Sequence, residues 1–117
     1  MIRNKTGVWG EVFAARYLRD KKYEILVSNY VCRFGEIDII ARKRDRIYFI
    51  EVKTRNESTQ TRPMEAVDAG KQKRLEMAAK NFISYMKIDA PMQFDVCEVY
   101  VDDNNCLVKI NYIENAF

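Results

Sequence analysis

A chain of 117 residues that is 48% apolar and 32% charged has the composition of one globular domain, long enough to bury roughly two-thirds of its unfolded surface. It contains no histidine. That excludes Ser-His and Cys-His nucleophiles, histidine-ligated zinc and an imidazole base, so any hydrolysis must run on carboxylates, lysine and metal. The net charge of +3 is uneven: residues 1–87 hold 19 Lys/Arg against 11 Asp/Glu, whereas residues 88–117 hold one Lys against six acids. A basic body with an acidic end suits a polyanion partner on one side.

No apolar run approaches the ~20 residues that a membrane helix requires. Met1-Ile2-Arg3-Asn4-Lys5 leads into a mixed helix rather than a signal-peptide core, so the expectation is a cytoplasmic protein with no membrane partner. Cys32, Cys97 and Cys106 are odd in number and lack Cys-x-x-Cys spacing, which fits reduced packing residues.

In chain order, Val8, Trp9, Val12, Ala15 and Leu18 follow helical spacing and predict a helix over 6–22, capped by Thr6 or Asn4. Gly7 and Gly10 are costly inside it and suggest a close approach to the sheet or to a ligand. Glu11 lies on or beside the apolar stripe, either as a carboxylate aimed at the sheet or as a rim residue paired with Lys or Arg. Residues 23–29 read as a strand and 30–34 as its connection.

Two β-rich runs follow, Ile37 to Ala41 and Ile47 to Val52, separated by Arg42-Lys43-Arg44-Asp45-Arg46. This is a hairpin pattern. With a two-residue turn at Arg44-Asp45, Asp38 lies opposite Glu51 and Glu36 opposite Lys53. Alternation then puts Glu36, Asp38, Ile40, Ile47, Phe49, Glu51 and Lys53 on one face, and Ile37, Ile39, Ala41, Tyr48, Ile50 and Val52 on the other. Large apolar groups on both faces indicate a central, doubly covered hairpin. Two carboxylates about 5 Å apart at the edge of a core repel one another, and a divalent cation such as Mg²⁺ removes that penalty. Lys53 stands beside them to hold a phosphate or water. The alternative is a solvated sheet face with Glu36 and Lys53 as a cross-strand ion pair.

Residues 56–63 contain no apolar side chain and predict a surface loop, either closing over a substrate or serving as a connector. Leu75, Ala78, Ala79, Phe82, Ile83 and Met86 predict a second helix starting near Asp68. Lys71, Lys73 and Arg74 crowd its first turn, where the helix dipole disfavours cations but welcomes phosphate; they form an anion site or a solvated basic face. A strand over 93–101 shifts phase at Cys97, which suggests a bulge. Asp102 to Asn105 is a turn signal, and Leu107 to Ile113 a last strand of edge character.

The order helix, three strands, helix, strand, with Asp38, twelve residues, then Glu51-Val52-Lys53, resembles the PD-(D/E)xK nuclease superfamily. Ile37 stands where that name has proline, a position that carries no chemistry. Gly7-x-x-Gly10-Glu11-x-x-Ala14-x-x-x-Leu18, Asn29, Gly35-Glu36-Ile37-Asp38, Phe49 to Arg55, Pro63-x-Glu65-Ala66-Val67, Lys71-x-x-Arg74-Leu75, Ala78 and Phe94-Asp95-Val96 together resemble the bacterial YraN-like family. The resemblance implies an α/β, restriction-endonuclease-like αβββαβ core: a central mixed sheet flanked by helices, with a C-terminal extra strand. It also implies kinship with archaeal Holliday junction resolvases. Carried over residue by residue, Glu11, Asp38 and Glu51 become metal ligands, the main-chain carbonyl of Val52 adds another, and Lys53 becomes the catalytic lysine.

Residues and resemblance together give the expectation of an endonuclease that uses Mg²⁺ (or Mn²⁺). Lys71, Lys73 and Arg74 with Arg55 and Arg62 would grip neighbouring phosphates without regard to sequence. DNA is the preferred partner, and branched DNA is implied by the resemblance alone. A homodimer would supply the two sites that paired cuts require. The rival reading is a non-catalytic nucleic-acid-binding module on the same fold, and a third is a structural partner that dimerises through an apolar strand edge.

Overall fold

A computed structural model describes residues 5–57 and 68–117 of the chain. In order it contains α1 (Lys5–Asp20), β1 (Glu24–Cys32), β2 (Gly35–Lys43), β3 (Arg46–Asn56), α2 (Ala69–Met86), β4 (Met92–Val101) and β5 (Leu107–Ile113). The strands form one sheet in the order β1-β2-β3-β4-β5. β1, β2 and β3 make an antiparallel meander, α2 carries the chain over to β4 parallel to β3, and β5 returns antiparallel as an edge. This is the mixed α/β sheet flanked by helices, with a C-terminal extra strand, that the resemblance implies. Among the described residues no helix is long and apolar enough to cross a membrane.

The two helices cover opposite faces of the sheet. On one side Phe13, Ala14, Ala15 and Leu18 of α1 pack with Ile39, Ile50, Cys97 and Val99. On the other, Leu75, Ala78, Ala79 and Phe82 of α2 pack with Ile40, Ile47 and Phe49. Full burial of each large aliphatic side chain here contributes about 1.5–3 kcal/mol. Ile37 departs from strict alternation and packs on the α2 side. Its register partner is Tyr30, which follows an Asn29 held at φ 59°.

Of the stripe that the spacing predicts for α1, Ala15 and Leu18 are buried and the earlier residues are not. Val8, Trp9 and Val12 remain 41–44% exposed, while Phe13 and Ala14 turn inward. Gly10 is the point of closest approach: a Cβ there would stand 1.8 Å from Thr54 Oγ1 of β3. The helix stops at Asp20 because Lys22 takes φ 74° and the Tyr23 N–H donates back to the Leu18 carbonyl at 3.0 Å. Its proposed cap Asn4 lies outside the described residues, and Thr6 falls within the helix.

Two further boundaries differ from the sequence pattern. β1 runs on to Cys32, because Asn29 absorbs its left-handed conformation inside the strand rather than ending it. The phase shift at Cys97 is not a bulge: β4 stays in register with β3 from Met92 to Val101, and its irregularity against β5 falls between Tyr100 and Val101. Val96 to Val99 are all buried because β4 is covered on both faces. Of the cysteines, Cys97 is buried, Cys32 partly so and Cys106 exposed, and all three are free thiols.

Candidate active site

The site begins where the central hairpin stops being a ladder. Register runs from Lys43↔Arg46 next to the Arg44-Asp45 turn up to Ile39↔Ile50, the pairing that the two-residue turn predicts. The ladder ends before it reaches Asp38 and Glu51, and there a side chain takes over: Asp38 Oδ2 accepts the N–H of Val52 at 2.8 Å. A main-chain donor at the end of the ladder is thus satisfied by a carboxylate, and Asp38 is fixed in orientation.

Asp38 and Glu51 line one cleft of about 210 Å³, together with Glu36, Lys71, Arg74 and Leu75. The first turn of α2 closes this cleft from above. Asp68, near which the helix is expected to start, caps it, accepting the Lys71 N–H at 2.8 Å on Oδ1. Lys71 then reaches down, and its Nζ lies 2.7 Å from Glu51 Oε1. The Glu51 side chain is only 11% exposed and that of Lys71 34%. The sequence reads Lys71 as a phosphate ligand in an unfavourable place on the helix dipole; the structure gives it Glu51 as a partner.

Lys53 lies in the same electrostatic neighbourhood. Burial pushes its ammonium below the ordinary range, repulsion from Lys71 adds to this, and Glu51 opposes it. Burial disfavours the Lys71 charge as well, but its hydrogen bond and attraction to Glu51, a hydrogen bond with Lys53 and the attraction of Asp38 outweigh that, holding Lys71 above its ordinary value. Of two neighbouring amines, Lys71 keeps its proton and Lys53 is the readier to give one up.

The remaining expected residues are spread more widely. Glu11 lines a separate groove of about 370 Å³ between α1 and the first two strands, with Val12, Arg19, Ser28 and Asn29. The contact seen at Val52 is its N–H on Asp38. Arg55 is half-buried, four residues beyond Glu51 on β3, and Lys73 and Arg74 are exposed on α2. Arg62 and most of the loop expected to close over the site lie outside the described residues.

Asp38 and Glu51, two of the three acids lining the cleft, match what a hard cation such as Mg²⁺ asks of a protein, with water and substrate phosphate completing its shell. The ammonium resting on Glu51 shows that the cleft already attracts positive charge. Among the described residues no cluster of three or more Asp, Glu, Cys or His side chains could hold a metal, so the donor set in hand is the pair Asp38 and Glu51.

The sequence profile described as "Uncharacterised protein family UPF0102" matches residues 10–99. The chain belongs to the UPF0102 family. This is the YraN-like family that the motifs resemble. UPF0102 proteins of Caldicellulosiruptor saccharolyticus and Caldanaerobacter subterraneus are 41% and 43% identical to it, over 118 and 120 residues. One from Clostridium acetobutylicum is 40% identical over 117 residues. The alignments cover 99–100% of this chain and 96–100% of those three. All the described cleft residues, Gly35 to Leu75, fall inside the stretch that the UPF0102 profile matches.

Two buried acids of this UPF0102 chain have no role in the sequence reading. Asp95 is wholly buried and accepts from Gln93 Nε2, Tyr112 Oη and the Asn115 N–H at 3.0, 2.6 and 2.9 Å. Glu98 is 1% exposed, stands next to Lys53 in the β3–β4 register, and accepts from Asn111 Nδ2 at 2.7 Å. The available signal was an acid embedded among valines and cysteine in a strand covered on both faces.

Proposed function

We propose that this UPF0102 protein is a metal-dependent endonuclease of the PD-(D/E)xK type, hydrolysing phosphodiester bonds in DNA, with branched or otherwise structured DNA as its substrate class. The observation that carries the reading is the convergence of Asp38 and Glu51 in one cleft where β2 and β3 part, with Lys53 two residues along and a cation already drawn to Glu51.

In this reading Asp38, oriented by the Val52 N–H, and Glu51 would hold Mg²⁺ or Mn²⁺, which would supply activation of an attacking water and stabilisation of charge developing at phosphorus. Lys53, in the same electrostatic neighbourhood as Glu51 and Lys71, would orient that water or hold the phosphate. Arg74, Lys73 and Arg55 bind flanking phosphates, an interaction blind to base sequence and weakened by salt. Glu11, which lines its own groove between α1 and the first two strands, is assigned no part in this scheme. The preference for branched DNA rests on the resemblance alone.

The test is incubation of the purified protein with labelled linear, forked and four-way DNA, and with RNA, in Mg²⁺, Mn²⁺ or EDTA. Metal-dependent nicking that disappears in Asp38→Ala and Lys53→Ala supports the reading; nicking that survives both substitutions overturns it. One observation favours a second reading. The Lys71–Glu51 ion pair neutralises one carboxylate without metal, as a non-catalytic nucleic-acid-binding module would require. That module binds DNA equally well in EDTA and leaves it intact.

A further inference from the structure

Resting on that reading of the cleft, we propose that Lys71 is a resident counter-ion: it occupies Glu51 until a divalent cation takes its place, and once released it binds the substrate phosphate. Three features of the site support this.

The first is the demand for positive charge. Glu51 is largely withdrawn from water and shares its cleft with the acids Asp38 and Glu36. A nearly buried carboxylate needs a charged or hydrogen-bonding partner. Here Lys71 supplies it at 2.7 Å. An ammonium and a divalent cation repel, so both cannot rest on the same oxygens.

The second is the division between what is fixed and what moves. Asp38 is tied to the backbone of β3 through the Val52 N–H. The backbone of Lys71 is tied as well, through the Asp68 cap at Oδ1, and the Gln72 N–H donates to the Asp68 carbonyl at 2.9 Å. Only the four-carbon stem of Lys71 has to swing, and its side chain is already one-third exposed. The exchange therefore asks for rotamer changes and no movement of α2.

The third is where the released ammonium goes. Arg74 lines the same cleft less than one turn along α2, so Lys71 and Arg74 together offer a phosphate two cationic groups beside a helix N-terminus. A phosphate then replaces Glu51 as the partner of Lys71. It follows that divalent cation and nucleic acid bind with positive coupling, each favouring the state in which Lys71 has left Glu51.

The experiment is Mn²⁺ binding to the full chain, followed by electron paramagnetic resonance of free Mn²⁺ and by calorimetry, with and without a short DNA duplex. Wild type, Lys71→Met, Lys71→Gln and Glu51→Gln are compared, with thermal melts to show that each is folded. Without DNA, Lys71→Met and Lys71→Gln bind Mn²⁺ about tenfold or more tightly than wild type. DNA tightens Mn²⁺ binding in wild type and has little effect on it in either Lys71 variant. If the Lys71 variants bind Mn²⁺ no better than wild type while Glu51→Gln abolishes binding, the counter-ion is refuted and the metal cleft stands. If neither wild type nor the Lys71 variants bind Mn²⁺, both fall.

Discussion

Two acids on neighbouring strands are satisfied in opposite ways. Asp95 on β4 takes hydrogen bonds from an amide side chain, a tyrosine hydroxyl and a backbone N–H, all neutral. They come from β4, β5 and the residue pair beyond β5, so Asp95 stitches the C-terminal edge to the sheet. Glu51 on β3, on the other face, holds a single ammonium at the end of a flexible stem. A carboxylate ringed by fixed neutral donors has nothing to exchange. One balanced by a removable cation can trade that cation for another. The difference separates a structural acid from a candidate catalytic one, although both are largely buried.

The largest effect should come from the cleft. On the proposed function, Asp38→Ala should lower metal-dependent cleavage by about 1,000-fold or more, since the site loses one of its two proposed metal ligands, while the urea midpoint should show only the modest drop expected for one hydrogen bond to Val52. Asp95→Ala reverses that pattern. It leaves buried donors on Gln93, Tyr112 and Asn115 and should cost about 3–5 kcal/mol of stability by urea titration. If Asp95→Ala were neutral and Asp38→Ala unfolded the chain, the contrast would be reversed.

Gly10→Ala comes next. With Thr54 Oγ1 standing 1.8 Å from the added Cβ, α1 must lift from β3, at a cost of about 1–3 kcal/mol. Because β3 carries Glu51 and Lys53, cleavage should fall beyond what the lower stability explains, measured by comparing activity with the folded fraction.

Alkaline pH probes the face of the sheet on which Asp95 lies. Burial, reinforced by Glu98, pushes the Cys97 thiol from 9.0 up to about 12. Burial, with Tyr48 and Asp95 adding, lifts Tyr23 from 10.0 to about 12. Burial and the hydrogen bond to Asp95 raise Tyr112 as well. In each case the unfolded chain gives up the proton first, so the folded state binds more protons as pH rises. Stability should stay level to about pH 9, then fall, by up to about 1.4 kcal/mol per pH unit for buried Cys97 and by less for the more exposed Tyr23, whose electrostatics water screens. Cys97→Ala should remove the part that begins at pH 9. The Lys71 ion pair has the same sign but a higher window. Its folded value is raised above 10.5, so its contribution is complete below that pH and disappears only above it. The smallest effect is electrostatic: Lys73→Ala with Arg74→Ala should flatten the salt dependence of DNA affinity by about one log unit per log unit of salt for each phosphate no longer held.

The hairpin was legible because its register follows from a two-residue turn, and register alone decides which strand residues share a face. The start of α2 near Asp68 and the edge character of β5 were legible for similarly local reasons. What escaped the sequence is the long-range pairing. Lys71 and Glu51 are twenty residues apart, and nothing in helix periodicity says that the first turn of α2 sits over β3. Glu11 has the spacing of a residue facing the sheet, but the stripe of α1 is rotated toward Phe13 and Ala14, and Glu11 lines its own groove. In β4 the apparent slip at Cys97 was an effect of burial on both faces, which erases alternation.

An anomalous-scattering map from crystals of the protein grown with Mn²⁺ interrogates the cleft without relying on activity. One peak is expected within about 2.2 Å of carboxylate oxygens of both Asp38 and Glu51, with Lys71 Nζ withdrawn from Glu51. A cleft without a peak at saturating Mn²⁺, with Lys71 still resting on Glu51, would contradict both the metal site and the exchange.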